Sequence, residues 1–289
     1  MSSLSSSRPP LLLIHGICSN SKVFRLPVSK NWWKELSKNF QLLAFDLPSG
    51  RPGTDISGWD HDTHIFEHLP AIWERACAIT EQKPMVLGYS LGGILALIAQ
   101  AYGLIDSPRI ALVASPFRFS KIHLYPELMT SFQKMARLLG LKRVPIKFLA
   151  RLLIWFWTLS TRDAGRKSDL QHFKGYTLQT GVDIPVEELL QTSLWMKHGE
   201  IVNRCGERGY LEKLREVKAP VCFVAGEVDS IATVAGVRAG FDAVGAKEKK
   251  FHIVSEAHHV GFLHGPEMIP TLNVIRDWFM KNEETGSVQ

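Results

Sequence analysis

The chain has 289 residues, 45% hydrophobic and 21% charged, which is the profile of a soluble globular protein with room for one large domain and an insertion. Its formal charge of +6 is regional: residues 131–168 carry nine basic residues against the single acid Asp163, about +8, leaving the rest near −2. A basic stretch without a recognised binding module argues against nucleic acid as a partner, and four cysteines without paired or metal-type spacing argue against a disulfide framework or a thiolate metal site.

The Ser- and Pro-rich start, residues 1–10, runs into a short apolar stretch with no signal-peptide pattern, so a cytoplasmic location is expected. In chain order, short apolar runs predict strands at residues 11–15, 41–46, 85–89, 109–114, 221–225 and 250–254. Amphipathic patterns predict helices at 31–39, 62–81, 91–102, 233–246 and 266–281. This alternation predicts an α/β fold, a mostly parallel sheet covered on both faces. Residues 117–208 show no strand pattern and are rich in Leu, Phe and Trp. They are expected to form a helical cap inserted into a core of residues 1–116 and 209–289.

Between the third predicted strand and the third predicted helix stands Gly88-Tyr89-Ser90-Leu91-Gly92-Gly93. A Gly-x-Ser-x-Gly at a strand-to-helix turn is a nucleophile elbow. The turn is tight enough that side chains two residues before and after the serine would clash. The helix behind it aims backbone N–H groups at the point where negative charge develops. Ser90 is therefore the candidate nucleophile; as a turn serine or helix cap it would need no chemistry. The Leu91 N–H is an expected oxyanion donor. A second donor is expected from the loop after Gly16, at Ile17, by position.

Asp229 follows the apolar strand 221–225 through Gly226-Glu227-Val228, and the carboxyl ends of parallel strands are where such sheets gather their sites. It could orient an imidazole or cap the helix that follows. Glu227 is a weaker candidate for the same role.

These features together resemble the α/β-hydrolase superfamily, in its serine esterase and lipase-like branch. His15-Gly16 is similar to the family's oxyanion-loop motif, Asp46–Gly53 to its glycine-rich loop, and Ser90, Asp229 and His259 follow its chain order. The family pattern places a proline seven residues after the base, and Pro266 selects His259 by that spacing; the adjacent His258 is the alternative base. The resemblance implies an α/β-hydrolase fold. With the first strand so near the start, about six strands are expected, without the N-terminal hairpin.

His61, His64 and His68 share a helix face, but Asp60 and Asp62 beside them read as a helix start, and serine hydrolysis needs no metal. No metal or other cofactor is expected. Two apolar helical patterns over 131–159 break near Val144-Pro145; the second carries Leu152–Trp157, too short and too charged at Arg151 to cross a bilayer. A cap helix over the site is expected, with basic residues beside Trp and Phe that also suit peripheral contact with an anionic membrane. The resemblance implies hydrolysis of a small hydrophobic ester. Thioester hydrolysis and acyl transfer use the same residues, and a ligand-binding sensor with a silent site is the non-enzymatic alternative.

Overall fold

The computed structural model describes residues 8–27, 30–50, 58–119, 131, 134–136, 138–145 and 180–281. In chain order the strands are β1 (Pro10–Ile14), β2 (Gln41–Ala44), β3 (Met85–Tyr89), β4 (Ile110–Val113), β5 (Arg143–Val144), β6 (Ile184–Pro185), β7 (Val221–Gly226) and β8 (Lys249–Val254). Six of them form one sheet in the order β2-β1-β3-β4-β7-β8, every pair parallel. The inner strands β1, β3, β4 and β7 are buried at every position, as a sheet covered on both faces requires. The edge strands β2 and β8 mix buried and exposed positions.

Helices α1 (Trp32–Leu36), α2 (His61–Thr63), α3 (Leu69–Thr80), α4 (Leu91–Ala101), α5 (Val186–His198), α6 (Val234–Ala243), α7 (Gly261–His264) and α8 (Met268–Met280) surround it. Local chemistry sets several starts: the Asn31, Asp60 and Thr233 side chains accept from the N–H groups of Lys34, Thr63 and Gly236. The core joins β1, β3, β4 and β7 to Phe24, Trp32, Leu95, Ile275 and Trp278. A smaller cluster of Ala136, Val144, Ile184, Val186 and Leu189 lies against Ile17 and Cys18.

The strand order fixes where a site can form. From β1 the chain crosses outward to β2, and from β3 it crosses the opposite way to β4, so β1 and β3 flank a switch point. A crevice opens at the carboxyl ends of such strands. Gly16 and Ser90 leave from those two ends.

The six-strand α/β expectation holds, with differences in detail. The helix predicted over 62–81 starts at His61 and passes through a π-helical turn at His64–His68; one wider turn leaves no trace in a 3.6-residue periodicity. Helix α6 stops at Ala243, α1 at Leu36, and α8 starts at Met268 rather than at Pro266. Residues 117–208 are not strand-free: β5 and β6 pair as an antiparallel ribbon, each too short to show a period. Within that stretch, residues 120–130, 132–133, 137 and 146–179 lie outside the described residues, and with them the apolar run 152–157. Among the described residues no helix is long and apolar enough to cross a membrane.

Candidate active site

Ser90 sits between β3 and α4 with φ 54° and ψ −123°, a conformation side chains rarely adopt. Its N–H donates to the Val113 carbonyl (2.8 Å), and its own carbonyl accepts from Gly93 and Ile94, so strand and helix both grip the turn. The flanking glycines are needed sterically: a Cβ at Gly88 would overlap Gly93, and one at Gly92 would overlap the carbonyl oxygens of Ile14 and His15. The first β-strand therefore presses directly on the turn that presents Ser90.

The His259 ring joins the other two candidates. Its Nε2 lies 3.0 Å from Ser90 Oγ and its Nδ1 lies 2.8 Å from Asp229 Oδ2. Asp229 is 4% exposed, and its Oδ1 accepts from the N–H groups of Ile231 and Ala232, both at 2.8 Å. Burial alone would raise its carboxyl pKa. The His259 ring and the two N–H donors outweigh burial and hold it below the usual carboxylate range. The Asp229 side chain does not cap α6, where Thr233 takes that position.

Other predicted residues fall into place around this trio. Glu227 is exposed and accepts from Ser255 Oγ and the Glu256 N–H, away from His259. The His258 carbonyl accepts from the Gly261 N–H, while the ring in contact with both Ser90 and Asp229 is that of His259. The histidine loop is tied to the core by groups the sequence did not single out. Tyr89 Oη donates to the His259 carbonyl (2.7 Å), and Trp32 Nε1 donates to the Phe262 carbonyl (2.7 Å).

His15 braces the facing loop. Its Nε2 accepts from the Leu47 N–H (3.0 Å), which leaves the proton on Nδ1 to donate to the Gly16 carbonyl (2.9 Å). Burial lowers its pKa, so the ring stays neutral. A Cβ on Gly16 would lie 3.2 Å from that of Ser90, so this loop abuts the nucleophile turn. Ile17 and Leu91 both line a narrow cleft there, walled by the apolar Leu47, Val182, Ile184 and Pro185 and by the polar His15, Ser49, Asp183 and Glu188.

The three helix histidines are absorbed by structure. His64 Nε2 contacts Glu188 Oε1 (2.7 Å) and Ser49 Oγ (3.0 Å), while its Nδ1 meets that of His68 (2.8 Å). His61 Nε2 donates to Thr192 Oγ1, whose own proton goes to the Glu188 carbonyl, and the ring lies on Trp195. Burial pushes His61 and His68 down to about 4. Asp60 starts the helix as read, but Asp62 does something else. It accepts from Gln191 Nε2, Tyr210 Oη and the Arg204 N–H, fastening α5 and the 200–210 loop to the core. Glu188, Gln191 and Tyr210 carried no local signal, since their partners lie more than a hundred residues away. Among the described residues no group of three or more His, Cys, Asp or Glu is arranged to hold a metal ion.

A family model described as the alpha/beta hydrolase family matches residues 11–269. The chain belongs to the alpha/beta hydrolase family. Its curated relatives include 1-acylglycerol-3-phosphate O-acyltransferase ABHD5 of Rattus norvegicus and Mus musculus, each 29% identical over 155 residues, 52% of this chain and 41% of the relative. The match thus spans less than half the length of those relatives. Among solved structures, a thermophilic esterase from Thermogutta terrifontis is similar with a TM-score of 0.65 at 17% identity, covering 95% of this chain and 90% of that one. A monoacylglycerol lipase from Paleococcus ferrophilus is similar at 0.58 and 18% identity, covering 94% and 95%. At such identities these neighbours establish the shared hydrolase fold.

Proposed function

We propose that this α/β hydrolase cleaves carboxylic esters with a hydrophobic acyl or alkyl group through an acyl-enzyme on Ser90. The observation that carries the reading is the hydrogen-bonded line from Ser90 Oγ through His259 to Asp229, at 3.0 and 2.8 Å. In the proposed cycle His259 Nε2 takes the serine proton as Oγ bonds to the ester carbonyl carbon. The tetrahedral oxyanion is held by the N–H groups of Leu91 and Ile17. Collapse breaks the ester C–O bond, and His259 returns the proton to the departing alcohol. Water then repeats the sequence on the acyl-enzyme, releasing the acid and restoring Ser90. Asp229, kept ionised by its N–H donors and the ring, holds the imidazole with its proton on Nδ1.

Ile17, Leu47, Leu91, Val182 and Ile184 make the apolar part of a mixed lining, and that part supports a hydrophobic substrate. Hydrolysis of p-nitrophenyl esters of rising chain length tests the reading: kcat/KM is expected to rise from acetate toward medium chains. Activity confined to acetate would reject the hydrophobic preference. Acyl transfer is a second reading, favoured by the name of the ABHD5 relatives. It differs in the acceptor alone: an alcohol takes the place of water at the acyl-enzyme. Product analysis with glycerol 3-phosphate or its monoacyl ester present separates the two.

A further inference from the structure

The described residues between 134 and 144 present two unlike faces. The inner face is packed: Ala136 and Val144 are buried with Ile184, Val186 and Leu189 against Ile17 and Cys18. Arg143 fixes the stretch by donating from Nη1 to the carbonyls of Ser49 (2.9 Å) and Asp183 (2.8 Å), and β5 pairs with β6. The outer face presents Met135, Leu138, Leu139 and Leu141, exposed at 52, 87, 66 and 44%. Four large apolar side chains bared within seven residues are not the scattered singles of an ordinary surface. The exposed Lys134 and Lys142 bracket them.

We propose that this outer face seats the protein on an anionic lipid surface. Apolar side chains flanked by lysines match the two layers of such an interface: leucines enter the acyl boundary while ammonium groups meet lipid phosphates. Charge decides between a bilayer and a second copy of the chain. In a two-fold contact the patch would face itself, setting its exposed lysines against those of the other copy. Negative headgroups meet no such repulsion. The seat is also placed to matter, since the cluster of Ala136, Val144 and Ile184 beneath it packs against Ile17. A lipid surface here lies beside the cleft, where a water-insoluble ester would leave the membrane.

The test is co-sedimentation of the full chain with vesicles of phosphatidylcholine alone and of phosphatidylcholine with about 30% phosphatidylserine. Binding is expected to the anionic vesicles and to fall as salt rises. Leu138→Ser with Leu139→Ser is expected to weaken it about tenfold. Lys134→Glu is expected to weaken the preference for anionic lipid. Leu138, Leu139 and Lys134 are exposed, so thermal melting and fluorophosphonate reaction at Ser90 should match the wild type, which keeps this result independent of the catalytic reading. Failure of the wild type to sediment with anionic vesicles would overturn the proposal, as would undiminished binding by both variants. A dimer in light scattering that the leucine substitutions disperse would overturn it in favour of self-association.

Discussion

Gly92 lies so close to the end of β1 that any side chain there would overlap the carbonyl oxygen of Ile14. That contact locks the turn carrying Ser90 to the strand that leads into the Ile17 loop, so Ser90 and the facing loop share one rigid support.

Gly92→Ala should therefore fail at both levels. The added methyl has backbone, not a flexible side chain, to displace, and overpacking of this kind costs about 1–3 kcal/mol or more. Urea denaturation should register that loss, and esterase activity should drop by more than the stability change explains. A variant as stable and active as wild type would show that the turn is not pressed on β1.

Asp229→Asn should separate orientation from folding. An asparagine can keep its carbonyl on the Ile231 and Ala232 N–H groups and then turn its NH₂ toward His259 Nδ1. The ring would have to accept there and carry its proton on Nε2, facing Ser90, where it cannot act as a base. A fall in kcat on the order of 10⁴ is expected with little change in melting temperature. A fall of less than about tenfold would mean that Asp229 does not set the tautomer.

The buried contact between His64 and Glu188, with side chains 0 and 4% exposed, joins the π-helical turn to α5. Burial by itself would raise the Glu188 carboxyl, yet the His64 ring and the Ser49 hydroxyl hold it below its ordinary range. Glu188→Ala removes one member of the pair and should lower stability by about 3–5 kcal/mol. A loss under about 1 kcal/mol would show that the contact contributes only as a surface pair does.

Acid should unfold the protein early. His61 and His68, near 6.5 when unfolded, are pushed down to about 4 by burial in the folded chain. Between those values the unfolded chain binds protons that the folded chain refuses. Stability is thus full above about pH 6.5 and declines as pH falls toward 4, ahead of most carboxylate titration. Urea midpoints at pH 7.5 and 5 should differ in that direction, and equal midpoints would contradict the burial of these rings.

How much of this was legible in the sequence follows from how local each signal is. Ser90 announces itself within six residues, because strand, strained turn and helix each leave a mark. The six strands were readable because parallel strands buried on both faces are unbroken apolar runs. His259 was not separable from His258 by chemistry; the spacing to Pro266 and the family resemblance favoured it. The histidine cluster has no explanation in local sequence, since Glu188 lies 124 residues from His64 and nothing near either side chain predicts the other. The π-turn and the two-residue ribbon were invisible because neither repeats long enough to make a period.

Ser90 is proposed to be an activated nucleophile. Its most direct test is reaction of the purified, folded chain with a fluorophosphonate probe, compared with Ser90→Ala. Rapid labelling of the wild type, absent in the variant and mapped to the peptide containing Ser90, is the predicted result. A folded wild type that does not label, or a Ser90→Ala protein that labels equally, would contradict it and move the ligand-binding alternative ahead.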